Sequence, residues 1–426
     1  MFDRVYRQRL EADLAQWEAR GVIAPATVAA IRGALPPATP GLNIPVVIGI
    51  VGGLLIAAAF LAFVAAHWME IARLSRMGIL SAGIVASNGL GAWFARTERP
   101  ILADLCASVG AVIFGAGIAL VGQMYHLGDD FAGGMLLWAV GALGAAALTG
   151  SRGALAVALA AASIWTCLRI AEIQDGPHLP FVVFWLAAGA LALIWNSRVA
   201  AHLVALAALP WWIATATQVI LFDLAPFFIL ANGAALLLGG GMALTATPWQ
   251  RARDAGGVLA NYGAFLLAGV AAMEVIVAND MLRPGSDASL QPAWTIACGV
   301  AATIAAFAVG ALRRQAGAAF AGAAMALMLV AAIVWPLRTL GEPLGEPWPG
   351  YAVVLGAMLC LVVSGMFDGS RARTVAGWLG IAGAIAGITW AVKGSLLRRS
   401  AFLAAAGVVA IAMAAALNRL LPRSET

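Results

Sequence analysis

The sequence predicts an all-α fold, a polytopic transmembrane helical bundle of about fourteen spans preceded by a short amino-terminal helical hairpin. Three observations carry this. The 426 residues are 63% hydrophobic and only 11% charged, with a mean hydropathy of +0.93, which leaves too little polar surface for a soluble globule of this size. From Asn43 onward about fourteen apolar runs, each of roughly 17 to 25 residues, are long enough to cross a bilayer as helices. The first 41 residues, by contrast, are mostly polar and contain no apolar run before a small-residue cleavage site, so this segment is expected to be retained and not removed as a signal peptide.

Within residues 1–41, Leu10, Leu14 and Trp17 recur at helical spacing and Gly21 breaks the helix. A second helix is expected from Pro25 to about Leu35, ended by Pro36 and Pro37. This hairpin is read as a cytosolic packing and topology element, with a protein-binding module as the alternative. Residues 42–150 form a four-span region, and residues 151–426 supply about ten more spans. The apolar runs centre near residues 55, 87, 112, 140, 162, 188, 209, 235, 267, 301, 326, 358, 383 and 410.

Charge bias orients the bundle. With the amino terminus inside, 17 of the 25 basic residues fall in cytosolic segments, and an even span count returns the carboxyl terminus to the same side. The net charge of +5 is dispersed in short loops without interleaved aromatics, which argues against nucleic-acid binding. Five of the eight basic residues placed outside sit in two hairpins of similar sequence, Ala65–Arg76 and Ala391–Ser400, a weak hint of an internal repeat. The four cysteines lie in apolar runs without C-x-x-C spacing and read as buried thiols.

The stretch that draws attention is Gly115–Phe131, a glycine-rich apolar span that ends in Gln123, Tyr125, His126, Asp129 and Asp130. As a helix it places Gly115, Ala119, Gly122 and His126 on one face, small enough for a neighbouring helix to approach. The outer ends of the first and thirteenth spans add His67, Trp68, Glu70, Lys393, Arg398 and Arg399 to the same side of the membrane. If these groups share a cavity, histidines, carboxylates and cations under a low-dielectric rim suit an anionic head group or a proton-coupled step. An interfacial belt of Trp, Tyr and His, with Lys393 and its arginines snorkelling to phosphates, accounts for the same residues without a site.

Other polar residues within spans are Asp104, expected near the inner interface, His202, Asn261, Asn232, the deepest, and Gln218 and Glu274, toward the outer end as second-tier site candidates; Asn232 and Asn261 are expected to hydrogen bond to each other between helices. No H-x-x-x-H or H-E-x-x-H pair and no G-x-x-x-x-G-K-[ST] loop is present, so neither a metal, nor a nucleotide, nor any other cofactor is expected.

Three groups of residues carry a resemblance: the W-x-x-x-G-V-I pattern of Trp17–Ile23, the A-A-H-W of Ala65–Trp68, and the G-x-x-L-V-G-Q-M-Y-H run ending at His126 and followed by Trp138. Over about the first 150 residues the chain resembles the bacterial predicted-membrane-protein family catalogued as domain of unknown function 2157. The resemblance implies a multi-pass inner-membrane protein, and it implies an asparagine where this chain has His67; it supplies no activity. Three functions are compatible with these residues. The first is a carrier or lipid flippase for a small or lipid-linked anionic compound, working among membrane lipids through the outer cluster. The second is a scaffold or sensor that contacts a protein through the hairpin around Trp17. The third is a membrane enzyme on lipid-linked substrates with His126 as base and Asp129 orienting it.

Overall fold

The computed structural model describes residues 2–34, 52, 55, 72–125, 130–173, 177–217, 225–281, 293–337 and 348–391. Every element formed by the described residues is a helix. The helices α1 (Phe2–Ala19) and α2 (Pro25–Ala34) form the amino-terminal hairpin, joined where the sequence places the break. Gly21 adopts φ +68°, its N–H bonds to the Glu18 carbonyl and the Val22 N–H to the Trp17 carbonyl, a Schellman ending that the missing Cβ of glycine favours. Pro25 then opens α2, where its absent N–H costs nothing. Leu14 and Val28 are buried.

Twelve further helices follow among the described residues. They are α3 (Arg73–Arg96), α4 (Pro100–Tyr125), α5 (Phe131–Thr149), α6 (Arg152–Ile173), α7 (Pro180–Ile194) and α8 (Arg198–Thr217), then α9 (Ala225–Thr245), α10 (Gln250–Met281), α11 (Ala293–Arg313), α12 (Ala316–Leu337), α13 (Trp348–Phe367) and α14 (Arg371–Ala391). They coincide with the second to the thirteenth of the predicted spans; the first and the fourteenth lie outside the described residues. Nine contain a stretch long and apolar enough to cross a membrane. Pro180–Ile194, Ile229–Thr245 and Ala316–Ala331 are shorter apolar stretches, although the helices holding the last two run to 21 and 22 residues. The chain is thus an all-helical, multi-pass membrane protein.

Helices α3 to α14 pack as successive hairpins whose connections at one end are two to four residues long. Glu98, Asn196, Arg314 and Gly369 all take positive φ at these turns, and each is followed by an N–H that reaches back five residues, as from Ser370 to the Gly365 carbonyl at 2.8 Å. Arg96, Arg99, Arg152, Arg198, Arg251, Arg253, Arg313, Arg314, Arg371 and Arg373 gather at this tight-turn end.

Besides a small cluster of Ala201, Ala205 and Val258 between α8 and α10, two large apolar cores divide the bundle. One runs from Ala111 on α4 to Ile229 on α9, the other from Ala231 on α9 to Ile388 on α14, with Leu230 packed against both. The second core is closed by backbone-to-backbone contact between α9 and α10. A Cβ on Gly241 would lie 2.5 Å from the Ala260 nitrogen, and one on Gly263 would lie 2.4 Å from the Leu238 nitrogen. This antiparallel register corrects one expectation. Asn261 falls level with the segment between Leu238 and Gly241, about two turns from Asn232, so the two do not pair. Instead the Ser370 hydroxyl donates to Asn261 Oδ1 at 2.9 Å, and Asn232 faces Gly299 on α11.

Candidate functional site

Helices α4 and α5 cross where glycine lets large rings in. The Trp138 indole occupies the space a Cβ of Gly115 would need, and its Nε1 donates to the Ala111 carbonyl at 2.9 Å. Phe114 fills the corresponding space at Gly141. On the other flank of α4 the Ser87 hydroxyl of α3 donates to the Cys106 carbonyl at 2.6 Å. Beyond the crossing the helices part, and around Gly122 a Cβ would meet nothing within 4 Å.

The result is an open groove of about 1110 Å³ between α3, α4 and α5. Its walls are Met77, Leu80 and Ile84 from α3, Phe114, Gly115, Ile118, Ala119 and Gly122 from α4, and Phe131, Gly134, Met135 and Trp138 from α5. Small and apolar residues dominate, and the polar side chains on its lining are Ser81, Gln123 and Asp130. Gln123 and Asp130 sit at the end opposite the tight turns, and both are exposed.

Asp130 has two tasks. Its Oδ1 accepts from the Gly133 N–H at 2.8 Å, capping α5. The same oxygen pairs with Arg169 Nη2 at 2.8 Å, while Arg169 Nη1 holds Glu172 at 2.7 Å. Behind this exposed triad lies a buried histidine. His178 Nδ1 is 3.1 Å from the Thr166 hydroxyl, its ring meets the Trp165 ring edge-on, and its carbonyl accepts from Trp211 Nε1 at 3.2 Å. Burial, and then the neighbouring Arg169 charge, push His178 below its ordinary value of 6.5, so the ring is neutral at pH 7.

Of the residues singled out in the sequence, the structure brings Gln123 and Asp130 to one groove. Tyr125 is the last residue of α4. His67, Trp68, His126, Asp129, Lys393 and Arg398 lie outside the described residues. Asp104 is at the tight-turn end, where its Oδ1 accepts from the Ser151 hydroxyl at 2.7 Å and the Gly153 N–H at 3.2 Å and thereby anchors the start of α6. Among the described residues, no group of three or more His, Cys, Asp or Glu is arranged to hold a metal ion.

Sequence reasoning missed Arg169, Glu172, His178 and Arg373. Thr166, Arg169 and Glu172 lie three apart on one face at the end of a span, a spacing that could have flagged the first two. Arg373 reads as a topology charge but is buried at 6% exposure. Its Nη1 donates to Asp368 Oδ2 at 2.8 Å and to the Ser364 hydroxyl at 3.0 Å.

With this geometry in hand, the class is that of a polytopic helical membrane protein. Residues 15–155, which run from α1 into the start of α6 and include all three walls of the groove, match the family model described as predicted membrane protein (DUF2157). No curated protein and no solved structure matches the chain.

Proposed function

We propose that the protein is a carrier or flippase of the bacterial inner membrane for a small or lipid-linked anionic compound, driven by an ion gradient, with both termini and the arginine-rich turns on the cytosolic side. The observation that supports this is the groove of about 1110 Å³, apolar along three candidate spans and polar at its Gln123 and Asp130 end. Ligand pockets of roughly 300–1000 Å³ hold drug-sized molecules. Because an apolar chain gains little on moving from lipid to an apolar wall, selectivity in such a groove falls to its polar end. There an anionic head group would compete with Asp130 and Glu172 for Arg169, and would draw on Tyr125, His126, Asp129, His67, Trp68, Lys393 and Arg398 as the sequence reading assigns them.

The test is movement of labelled phosphatidylglycerol, with labelled phosphatidylcholine as the zwitterionic control, in proteoliposomes carrying the protein. Gln123→Ala and His126→Ala are expected to abolish selective movement of the anionic lipid with folding intact. Unchanged movement removes those residues from the mechanism.

A second reading is a scaffold or sensor acting through the amino-terminal hairpin, favoured by Trp17 at 41% and Val22 at 67% exposure on its surface. It predicts that deleting residues 1–41 abolishes the cellular phenotype while groove substitutions are silent. The reverse pattern refutes it.

A further inference from the structure

The second core, which encloses the fully buried Glu274 of α10, ends at the tight turns in a set of charges that the groove does not use. Two turns meet there. Arg313 and Arg314 belong to the α11–α12 turn, Asp368, Gly369 and Ser370 form the α13–α14 turn, and Arg371 and Arg373 open α14. Asp368 joins the two, because a Cβ on Gly317 at the start of α12 would collide with its carboxylate. Just beyond, the rings of Phe320 on α12 and Phe367 on α13 stack 5.6 Å apart and 4° from parallel.

Four arginines thus share this corner with one carboxylate. Arg313, Arg314 and Arg371 are exposed and take part in no ion pair among the described residues. Elsewhere at this end the balance is closer: Arg96, Arg99 and Arg152 have Glu98 and Asp104 beside them, and Arg198, Arg251 and Arg253 have Asp254.

The buried member of the four is half used. Every hydrogen bond of the Arg373 guanidinium leaves from Nη1, to Asp368 Oδ2 at 2.8 Å, to the Ser364 hydroxyl at 3.0 Å and to the Met242 sulfur at 3.7 Å. Nε is buried and has no hydrogen-bond partner among the described residues. The Nε–Nη2 edge is the one that clasps two oxygens of a carboxylate or phosphate in parallel bonds, and here it is unoccupied by any protein acceptor. A buried donor left in this state is costly, and an anion at the edge relieves that cost. Gly369, in the turn just before α14, has nothing within 4 Å of where a Cβ would stand, which leaves the turn open on one side.

Beside the arginines the surface turns apolar. Leu312, Phe320 and Phe367 are 82%, 36% and 54% exposed. Leu312 and Phe367 stand at the ends of the candidate spans Trp294–Arg313 and Gly350–Phe367, the level at which these helices leave a membrane. A soluble anion gains nothing from such a surface. A phospholipid gains from both parts, its first methylenes lying on the rings while its phosphate reaches the guanidiniums.

We propose that this corner binds the phosphate of an anionic phospholipid of the adjoining leaflet. The Nε–Nη2 edge of Arg373 takes two of its oxygens, and Arg313, Arg314 and Arg371 supply the surrounding charge. The site lies apart from the groove and does not rest on the carrier reading.

The test is native mass spectrometry of the full chain, released from micelles that carry graded amounts of phosphatidylglycerol or phosphatidylcholine. The wild type is expected to retain one phosphatidylglycerol about tenfold more tightly than phosphatidylcholine. Arg313→Gln with Arg314→Gln and Arg371→Gln is expected to lose that preference, whereas the matched Arg96→Gln with Arg99→Gln and Arg152→Gln keeps it. Arg373→Lys, which keeps the charge and loses the two-bond edge, is expected to weaken the adduct about tenfold. Should Arg373→Lys not fold, the two triple variants decide, because they change exposed side chains only. A wild type without preference, a preference lost in both triple variants or in neither, or displacement of the lipid by an equal concentration of inorganic phosphate overturns the proposal. Lipid movement is scored separately: a lipid adduct that persists in a protein that moves no lipid refutes the carrier reading and leaves the site standing.

Discussion

The helices around the groove and those around Glu274 are built from similar alphabets, rich in alanine and glycine, yet they pack differently. In α3, α4 and α5 only 17%, 28% and 22% of the spanning windows are buried within the protein, whereas the windows of α10 and α13 reach 50%. Glycine explains part of the contrast. In the first region Gly115 and Gly141 admit aromatic rings, which wedge helices apart, and Gly122 faces open space. In the second, Gly241, Gly256 and Gly263 bring backbone against backbone. The same residue thus opens a groove when a large side chain fills its notch and seals a core when another helix does.

The sharpest way to break this comparison is to remove one charge from each region. Asp368→Ala would strand Arg373, whose side chain is 7% exposed, and is expected to cost about 3–5 kcal/mol, read as a large fall in thermal stability in nanodiscs. Asp368→Ala with Arg373→Met should recover most of it. Arg169→Ala, in the exposed pair with Asp130, should cost no more than about 1 kcal/mol. Equal losses would mean that the two regions are packed alike.

A glycine pair gives the next largest effect. Gly241→Leu forces a side chain into the α10 backbone and is expected to cost about 1–3 kcal/mol or more, visible as reduced yield of monodisperse protein. Gly122→Leu, with no atom within 4 Å of its Cβ, should change stability by only about 0.5 kcal/mol. Within the first region, Gly115→Ala must displace the Trp138 ring and its bond to the Ala111 carbonyl. A loss of about 1 kcal/mol is expected, with a shift in tryptophan emission that Gly122→Ala does not produce.

The smallest effect is a pH dependence. His178 is held below its ordinary value in the folded protein, so on acidification the unfolded chain takes up the proton first. Stability is therefore complete above about pH 6.5 and falls as the pH drops below it toward the folded-state value. Melting curves from pH 7.5 to 5 should show this decline in the wild type and a weaker one in His178→Gln.

The helical content, the break at Gly21, the start of α2 at Pro25 and the positions of the twelve helices α3 to α14 were legible in the sequence, because apolar length and turn residues act within a few residues of one another. At the site, Gln123 and Asp130 were legible as polar residues ending a small-residue helix. Arg169 was not, since its partner Asp130 is 39 residues away, and neither was the burial of Arg373. An arginine beside a turn reads as a solvent-facing charge until Asp368 and Ser364 are brought to it. The expected Asn232–Asn261 pair failed for the same reason: two antiparallel helices offer many registers, and the Gly241 and Gly263 contacts select the one that separates them.

The sequence by itself determined that this chain is a multi-pass helical membrane protein with an arginine-rich set of short turns, since hydropathy, helix length and charge bias are properties of contiguous residues. Only the tertiary structure decided that α3, α4 and α5 leave a groove while α9, α10, α13 and α14 close around a buried glutamate. That outcome depends on which atoms fill each glycine notch, and those atoms come from helices far apart in the chain.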